Sequence, residues 1–251
     1  MDNQNQNGIF TDYSLEQSKT HEISRTFFAN VFLWMFGALA ISAACAFLFA
    51  ENENLLSYLI SVNANGHGGL SMLGWLVMLA PIGFVMLMSF GYQRLSAPAM
   101  ALFFIAYAAV TGISLSFILL VYTTGSVVTC FLSAAAMFGV MAVMGYTTNK
   151  DLTSFGRILM MGLIGVVVAS LINFFLGSPS LDYIISLVGV AVFTGLTAYD
   201  VQKLKRISIG LEYEGIGAAS VRKLSILGAL RLYLDFINLF LMLLRLFGRR
   251  R

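Results

Sequence analysis

The chain has 251 residues, of which 59% are hydrophobic and 11% charged, and its formal net charge is +3. A soluble domain carries about 25% charged residues, so this composition argues against a soluble fold and for a polytopic membrane protein. The positive excess lies in short connections next to apolar runs and gives no support to a nucleic-acid partner.

Residues 1–25 form a polar segment, beginning MDNQNQNGIFTDYSLEQSK, without the basic start of a secretory signal. Apolar runs then follow at 27–50, 72–90, 99–122, 127–146, 158–176, 183–204 and 224–246. Each is close to the roughly 20 residues that a membrane-crossing helix needs. The expected organisation is therefore a polar cytoplasmic segment (1–25), an all-α domain of seven transmembrane helices (26–248) and a basic tail (249–251). Most connections are short turns. The one at 51–71 is longer, and the one at 205–223, with Gly210, Gly215, Gly217 and a cluster of charges, reads as a loop. Pro81 predicts a kink in the second span. Cys45 and Cys130 lie in apolar runs and read as packing residues, and no zinc-like spacing is present.

Lysines and arginines set the orientation. Lys19, Arg25, Arg94, Lys150, Arg157, Lys203, Lys205, Arg206, Arg222 and Lys223 all fall on one side of a seven-span chain, and the connections on the other side have none. The N-terminus is expected to be cytoplasmic. This leaves the tail RLFGRRR, with its four arginines, on the far side, unless the last helix stops short and returns. The spacings Ala40-xxx-Ala44 and Gly165-xxx-Ala169 allow close helix contact, but ordinary bundle packing is the preferred reading of both. VTGIS (110–114) in the third span echoes FTGLT (193–197) in the sixth, a hint of a three-plus-three duplication with the seventh helix left over.

The seventh run carries the chemistry. Gly228, Arg231, Asp235, Asn238, Met242 and Arg245 recur at spacings of 3, 4, 3, 4 and 3, which places them on one face of a helix otherwise made of Leu, Ile and Phe. An acid at the bilayer centre costs roughly 2.5–3.5 kcal/mol on insertion scales, so the stripe needs protein or water alongside it. The other acid deep in a span is Asp200, in GLTAYDVQKLK, read as near the cytoplasmic end of the sixth helix with Thr194 and Thr197 before it. Two facing carboxylates at low dielectric cannot both ionise cheaply, and one shared proton removes the repulsion. Arg231, four residues before Asp235, offers an alternative: a structural ion pair with that acid.

GLTAYDVQKLK (195–205), SILGALRLYLDFINLFLMLLRLFG (225–248) and GYTTNKDLTSFG (145–156) resemble the bacterial inner-membrane branch of the Bax inhibitor-1 family, also called the transmembrane Bax inhibitor motif family. The resemblance extends from about residue 25 to the end. It implies a central last helix wrapped by two three-helix layers. It also implies a pH-sensitive calcium leak closed by a paired aspartate gate, with Asp200 and Asp235 as the pair and as weak, transient calcium ligands. Arg94 is the candidate for the family's basic residue that braces the pair. Arg231 departs from the family pattern, in which that place holds a small or hydroxylated residue.

The expected function is thus a calcium or cation leak of the inner membrane, with Asn238 and Thr197 lining the path and no cofactor. No G-x-x-x-x-G-K-[ST] loop is present to couple flux to ATP. Two other classes compete. One is a non-transporting regulator of a membrane quality-control protease or stress response, docking through 203–223 with Glu212 and Glu214. The other is an intramembrane aspartyl protease, against which LYLD stands where such enzymes use Gly-x-Gly-Asp.

Overall fold

The computed structural model describes residues 3–62, 68–213 and 217–251, with side chains from Arg25 onward apart from 62–68, 212–216 and 218. Seven helices among these residues are long and apolar enough to cross a bilayer. They are α1 (Asn3–Glu51, apolar from Arg25), α3 (Met72–Gly91), α4 (Ala97–Val121), α5 (Thr124–Thr147), α6 (Thr153–Leu176), α7 (Pro179–Tyr213) and α8 (Ala218–Phe247). A short helix, α2 (Glu53–Leu59), and an antiparallel pair, β1 (Ile60–Val62) with β2 (Gly68–Leu70), occupy the connection between α1 and α3.

Local chemistry sets the helix ends. Ser71 accepts a hydrogen bond from the Gly74 amide at 3.0 Å and starts α3. Ser96 does the same for α4, with Pro98 in the first turn, where a missing N–H costs nothing. Gly177 ends α6 in the left-handed conformation, φ 61°, with its N–H on the Asn173 carbonyl at 2.7 Å. Pro179 then opens α7. α3 continues as one helix through Pro81.

The charged stretch read as a loop at 205–223 is instead helical on both sides of a short connection, since α7 runs to Tyr213 and α8 begins at Ala218. The charges have helical partners. Lys205 donates to the Tyr146 carbonyl at the end of α5, at 2.8 Å, and its ammonium lies 5.0 Å from the Tyr146 ring centroid. Arg206 pairs with Asp151 at 2.6 Å in the α5–α6 turn, and Gln202 bonds the backbone at Lys150 and Leu152. Hydrogen bonds from Thr153 and Arg206 hold the Asp151 carboxyl well below the usual carboxylate range. Lys223 on α8 reaches the Tyr92 carbonyl at the end of α3, at 3.4 Å. Lys205 and Lys223 thus act as C-terminal caps for α5 and α3. The side chains of Glu212 and Glu214 lie outside the described residues.

α8 is the core helix. Ile226, Ala229, Leu232, Tyr233 and Leu239 are fully buried, and α8 packs against α1, α4, α5 and α7. α1, α3 and α4 form one layer and α5, α6 and α7 the other. In each layer the third helix packs on the other two. The contact scheme therefore repeats, as the echo between 110–114 and 193–197 suggested. The outer helices α3 and α6 present Phe90, Met161 and Phe175 outward, as lipid-facing helices do.

The closest helix approaches are not at the spacings singled out in sequence. Ala40, Ala44 and Gly165 are exposed, and a Cβ on Gly165 would meet open space. The tight points are Gly112, where a Cβ would strike the Ser42 backbone of α1, and Gly145, where it would strike the Ala198 backbone of α7.

The helices alternate in direction. Arg25, the α3–α4 turn, the α5–α6 turn, the end of α7 at Tyr213 and the start of α8 at Ala218 share one face, here the basic face. α8 crosses in full, so the tail reaches the opposite face. There Thr123 N–H donates to the Arg249 carbonyl at 3.0 Å and Arg251 N–H to the Val121 carbonyl at 2.9 Å.

Candidate functional site

The site lies where α7 and α8 cross. Asp235 is about 26 Å along α8 from Ala218 and about 18 Å from Phe247, at 1.5 Å per residue. Both acids are buried, Asp200 at 6% and Asp235 at 5% exposure. Their carboxyl groups lie within hydrogen-bonding reach of one another. Asp235 Oδ2 is buried without a donor. With α7 reaching Tyr213, Asp200 lies more than three turns from the helix end, deeper than a span ending at 204 would place it.

Arg231 serves the other acid of the pair. Its guanidinium donates to Asp200 Oδ1 at 3.3 Å across the α7–α8 contact, rather than to Asp235 on its own helix. Its side chain is 47% exposed, whereas that of Asp200 is 9% exposed. Lys203 adds a second positive charge within electrostatic reach of Asp200. The resulting order runs from an accessible cation, through a paired carboxylate, to a buried carboxyl lacking a donor.

The remaining sequence candidates separate. Asn238 is half-buried on the stripe. Thr197 is buried, and its hydroxyl turns back to the Phe193 carbonyl at 2.9 Å. Thr194 Oγ1, one turn before, is buried without a partner. Arg94 is exposed in the α3–α4 turn and forms no ion pair with either aspartate. It does not brace the pair here; Arg231 supplies the cation that touches it.

Sequence reading missed two features. Arg245 pairs with Asp182 at 3.6 Å, a second α7–α8 ion pair toward the opposite face. The signal was present: Asp182 and Asp200 are five turns apart on one face of α7, as Arg231 and Arg245 are four turns apart on α8. The second feature is a buried hydroxyl cluster. Ser42 Oγ and Tyr233 OH lie 2.7 Å apart, and Ser42 also donates toward the Ala108 carbonyl at 2.7 Å. Tyr107 packs edge-on against Tyr233, with ring centroids 5.4 Å apart. This cluster ties α8 to α1 and α4; no periodicity in a single helix could show it.

Among the described residues no three His, Cys, Asp or Glu side chains converge. The two carboxyl groups that meet at the crossing, Asp200 and Asp235, supply fewer oxygens than the six to eight of a resident calcium site.

A last helix enclosed by two like layers, with two carboxyl groups facing each other inside the membrane-crossing region, defines an all-α polytopic membrane protein with an intramembrane acid pair. The particular family follows from comparison: the chain belongs to the family described as Inhibitor of apoptosis-promoting Bax1, whose model matches residues 24–251. It is 44% identical over 227 residues to the inner membrane protein YbhL of Escherichia coli (strain K12), covering 90% of this chain and 93% of that protein. An uncharacterised protein of Deinococcus radiodurans is 40% identical over 237 residues, covering 94% and 96% of the two chains. Another, from Borreliella burgdorferi, is 40% identical over 229 residues, covering 91% and 94%.

Proposed function

We propose that this protein is a pH-sensitive cation leak of the bacterial inner membrane, with calcium as a permeant ion and Asp200 and Asp235 as its gate. Asp235 carries the reading: it is a buried carboxyl with no donor for Oδ2, facing a second carboxyl on the neighbouring helix. One proton held between the two supplies that donor and removes the like-charge repulsion, so α7 and α8 stay closed on each other. Loss of the proton leaves two carboxylates in contact, which pushes the helices apart and exposes oxygen ligands to a passing cation. The half-exposed Arg231 marks the approach, because a guanidinium of that accessibility at this depth requires water rather than lipid. The inner-membrane location rests on the name of the YbhL relative. The cytoplasmic N-terminus rests on the charge distribution.

The test is calcium entry into liposomes as a function of pH, for the native protein and for Asp235→Asn and Asp200→Asn. The amide of Asp235→Asn donates permanently to Asp200, so flux is expected to be low and independent of pH. A native pH profile in either variant overturns the gate.

A further inference from the structure

A crevice opens between α1 and α5 on the side of α8 away from the acid pair. The two helices meet near the basic face, where the Phe28 and Tyr146 rings lie 5.1 Å apart, and separate toward the opposite face. The space between them is about 240 Å³, with α4 and α8 behind it. Its walls include Leu39, Ala46, Leu115, Val128, Ile237 and Phe240. Ser42 is one of two polar side chains on the lining, and its hydroxyl is already spent on the Ala38 and Ala108 carbonyls and on Tyr233. The floor therefore offers water nothing to bond. The volume falls below the roughly 300–1,000 Å³ of a drug-sized ligand site. The crevice is edged by the exposed Phe47, Val128 and Leu132, which puts its opening along the lipid-facing side of the bundle. A slender flexible chain suits it better than a compact ligand or a helix.

The mouth is chemically different. A second space of about 130 Å³ shares Phe47, Leu119 and Thr124 with the first and adds Glu51 and Arg251. Arg251 is fixed there. Its N–H is held by Val121 and its guanidinium donates to Thr124 Oγ1 at 3.3 Å. Arg249 N–H donates to Ser126 Oγ at 3.0 Å, which pins the preceding turn. Arg251 and Glu51 line this second space together, and Arg249 and Arg250, next in the chain, are exposed.

We propose that this crevice holds an acyl chain of an anionic membrane phospholipid, with its phosphate at Arg251. Apolar walls, a lateral opening and a tethered cation at the depth where a headgroup begins are the complement of that molecule. The position also gives the site a consequence, because the chain would lie against Ile237 and Phe240, within two turns of Asp235 on α8.

The experiment uses the full chain in phosphatidylcholine vesicles with a trace of phosphatidylglycerol carrying a photoactivatable group midway along one acyl chain; crosslinked peptides are then mapped. Labelling is expected to concentrate on 43–47 and 127–132 relative to the outer face of α6. Unlabelled phosphatidylglycerol should compete and unlabelled phosphatidylcholine should not. Arg251→Gln, on the exposed tail, is expected to weaken labelling about fivefold. Ala46→Trp, which fills the crevice, should reduce labelling to the α6 level, whereas Leu171→Trp on the outer face of α6 should not. Labelling spread evenly over all lipid-facing helices overturns the proposal. So does labelling indifferent to headgroup charge and to Arg251→Gln, or a chain-to-chain crosslink through the same segments that displaces the lipid.

Discussion

Arg231 is the cation in contact with the acid pair. A guanidinium 3.3 Å from Asp200 stabilises that carboxylate and so opposes proton sharing with Asp235. Arg231→Ser removes the cation and leaves both acids in place. The flux midpoint of the native protein is therefore expected to lie lower on the pH scale than that of Arg231→Ser, by about one unit, with half-exposure of Arg231 moderating the effect. Calcium entry into liposomes across a pH series measures it, and coincident midpoints would remove Arg231 from the gate. The two acids were legible in the sequence, because each interrupts an apolar run and the 3-4 spacing fixes the face of Asp235. The partner of Arg231 was not. Four residues before Asp235, its spacing allows a pair within the helix, but base before acid is the weaker order at that spacing. Asp200, on the adjoining helix, takes the guanidinium instead. Arg94 was misread for a related reason: a cation at the end of a span has the right charge, but only the crossing of helices decides what it reaches.

At the scale of elements, contact between helices in lipid depends on fit, since lipid is as apolar as the side chains it would replace. Two glycines set that fit. A methyl group on Gly145 has no space against the Ala198 backbone, and backbone cannot rotate away. Gly145→Ala is expected to separate α5 from α7 and to cost about 1–3 kcal/mol. Gly165→Ala, which adds the same methyl toward open space, should leave stability unchanged or slightly raised. Thermal unfolding of the two variants in one detergent tests the contrast, and equal melting points would refute it. Small-residue spacing along one helix selected Gly165 because it reports what a helix permits, while the neighbour that uses it is invisible. The charged extension of α7 was misread on similar grounds. Lys205 and Arg206 look like loop residues until the ends of α5 and the α5–α6 turn are brought beside them as partners.

Across the whole molecule, exposure falls sharply along α8 between Arg231 and Asp235. Arg231 is about 20 Å from the basic-face end of α8 and is 47% exposed, while Asp235, one turn further in, is covered. Leu224, Leu227, Leu234 and Leu241 on the same seam are only half-buried, so α8 is not sealed along this line. Toward the opposite face the seam meets the Arg245–Asp182 ion pair. Water admitted from the basic face would reach Arg231 and stop at the acid pair. Single cysteines at 231 and 235, in a chain whose Cys45 and Cys130 are replaced by alanine, turn this into a measurement. A membrane-impermeant thiol reagent should modify Arg231→Cys from the basic-face side of sealed vesicles and not from the other. Asp235→Cys should react at least about tenfold more slowly from either side, because a buried thiol is both inaccessible and held in its unreactive form. Modification of position 231 from both sides, or from neither, would mean that the guanidinium faces something other than a vestibule, and the route proposed for the permeant ion would lose its entrance.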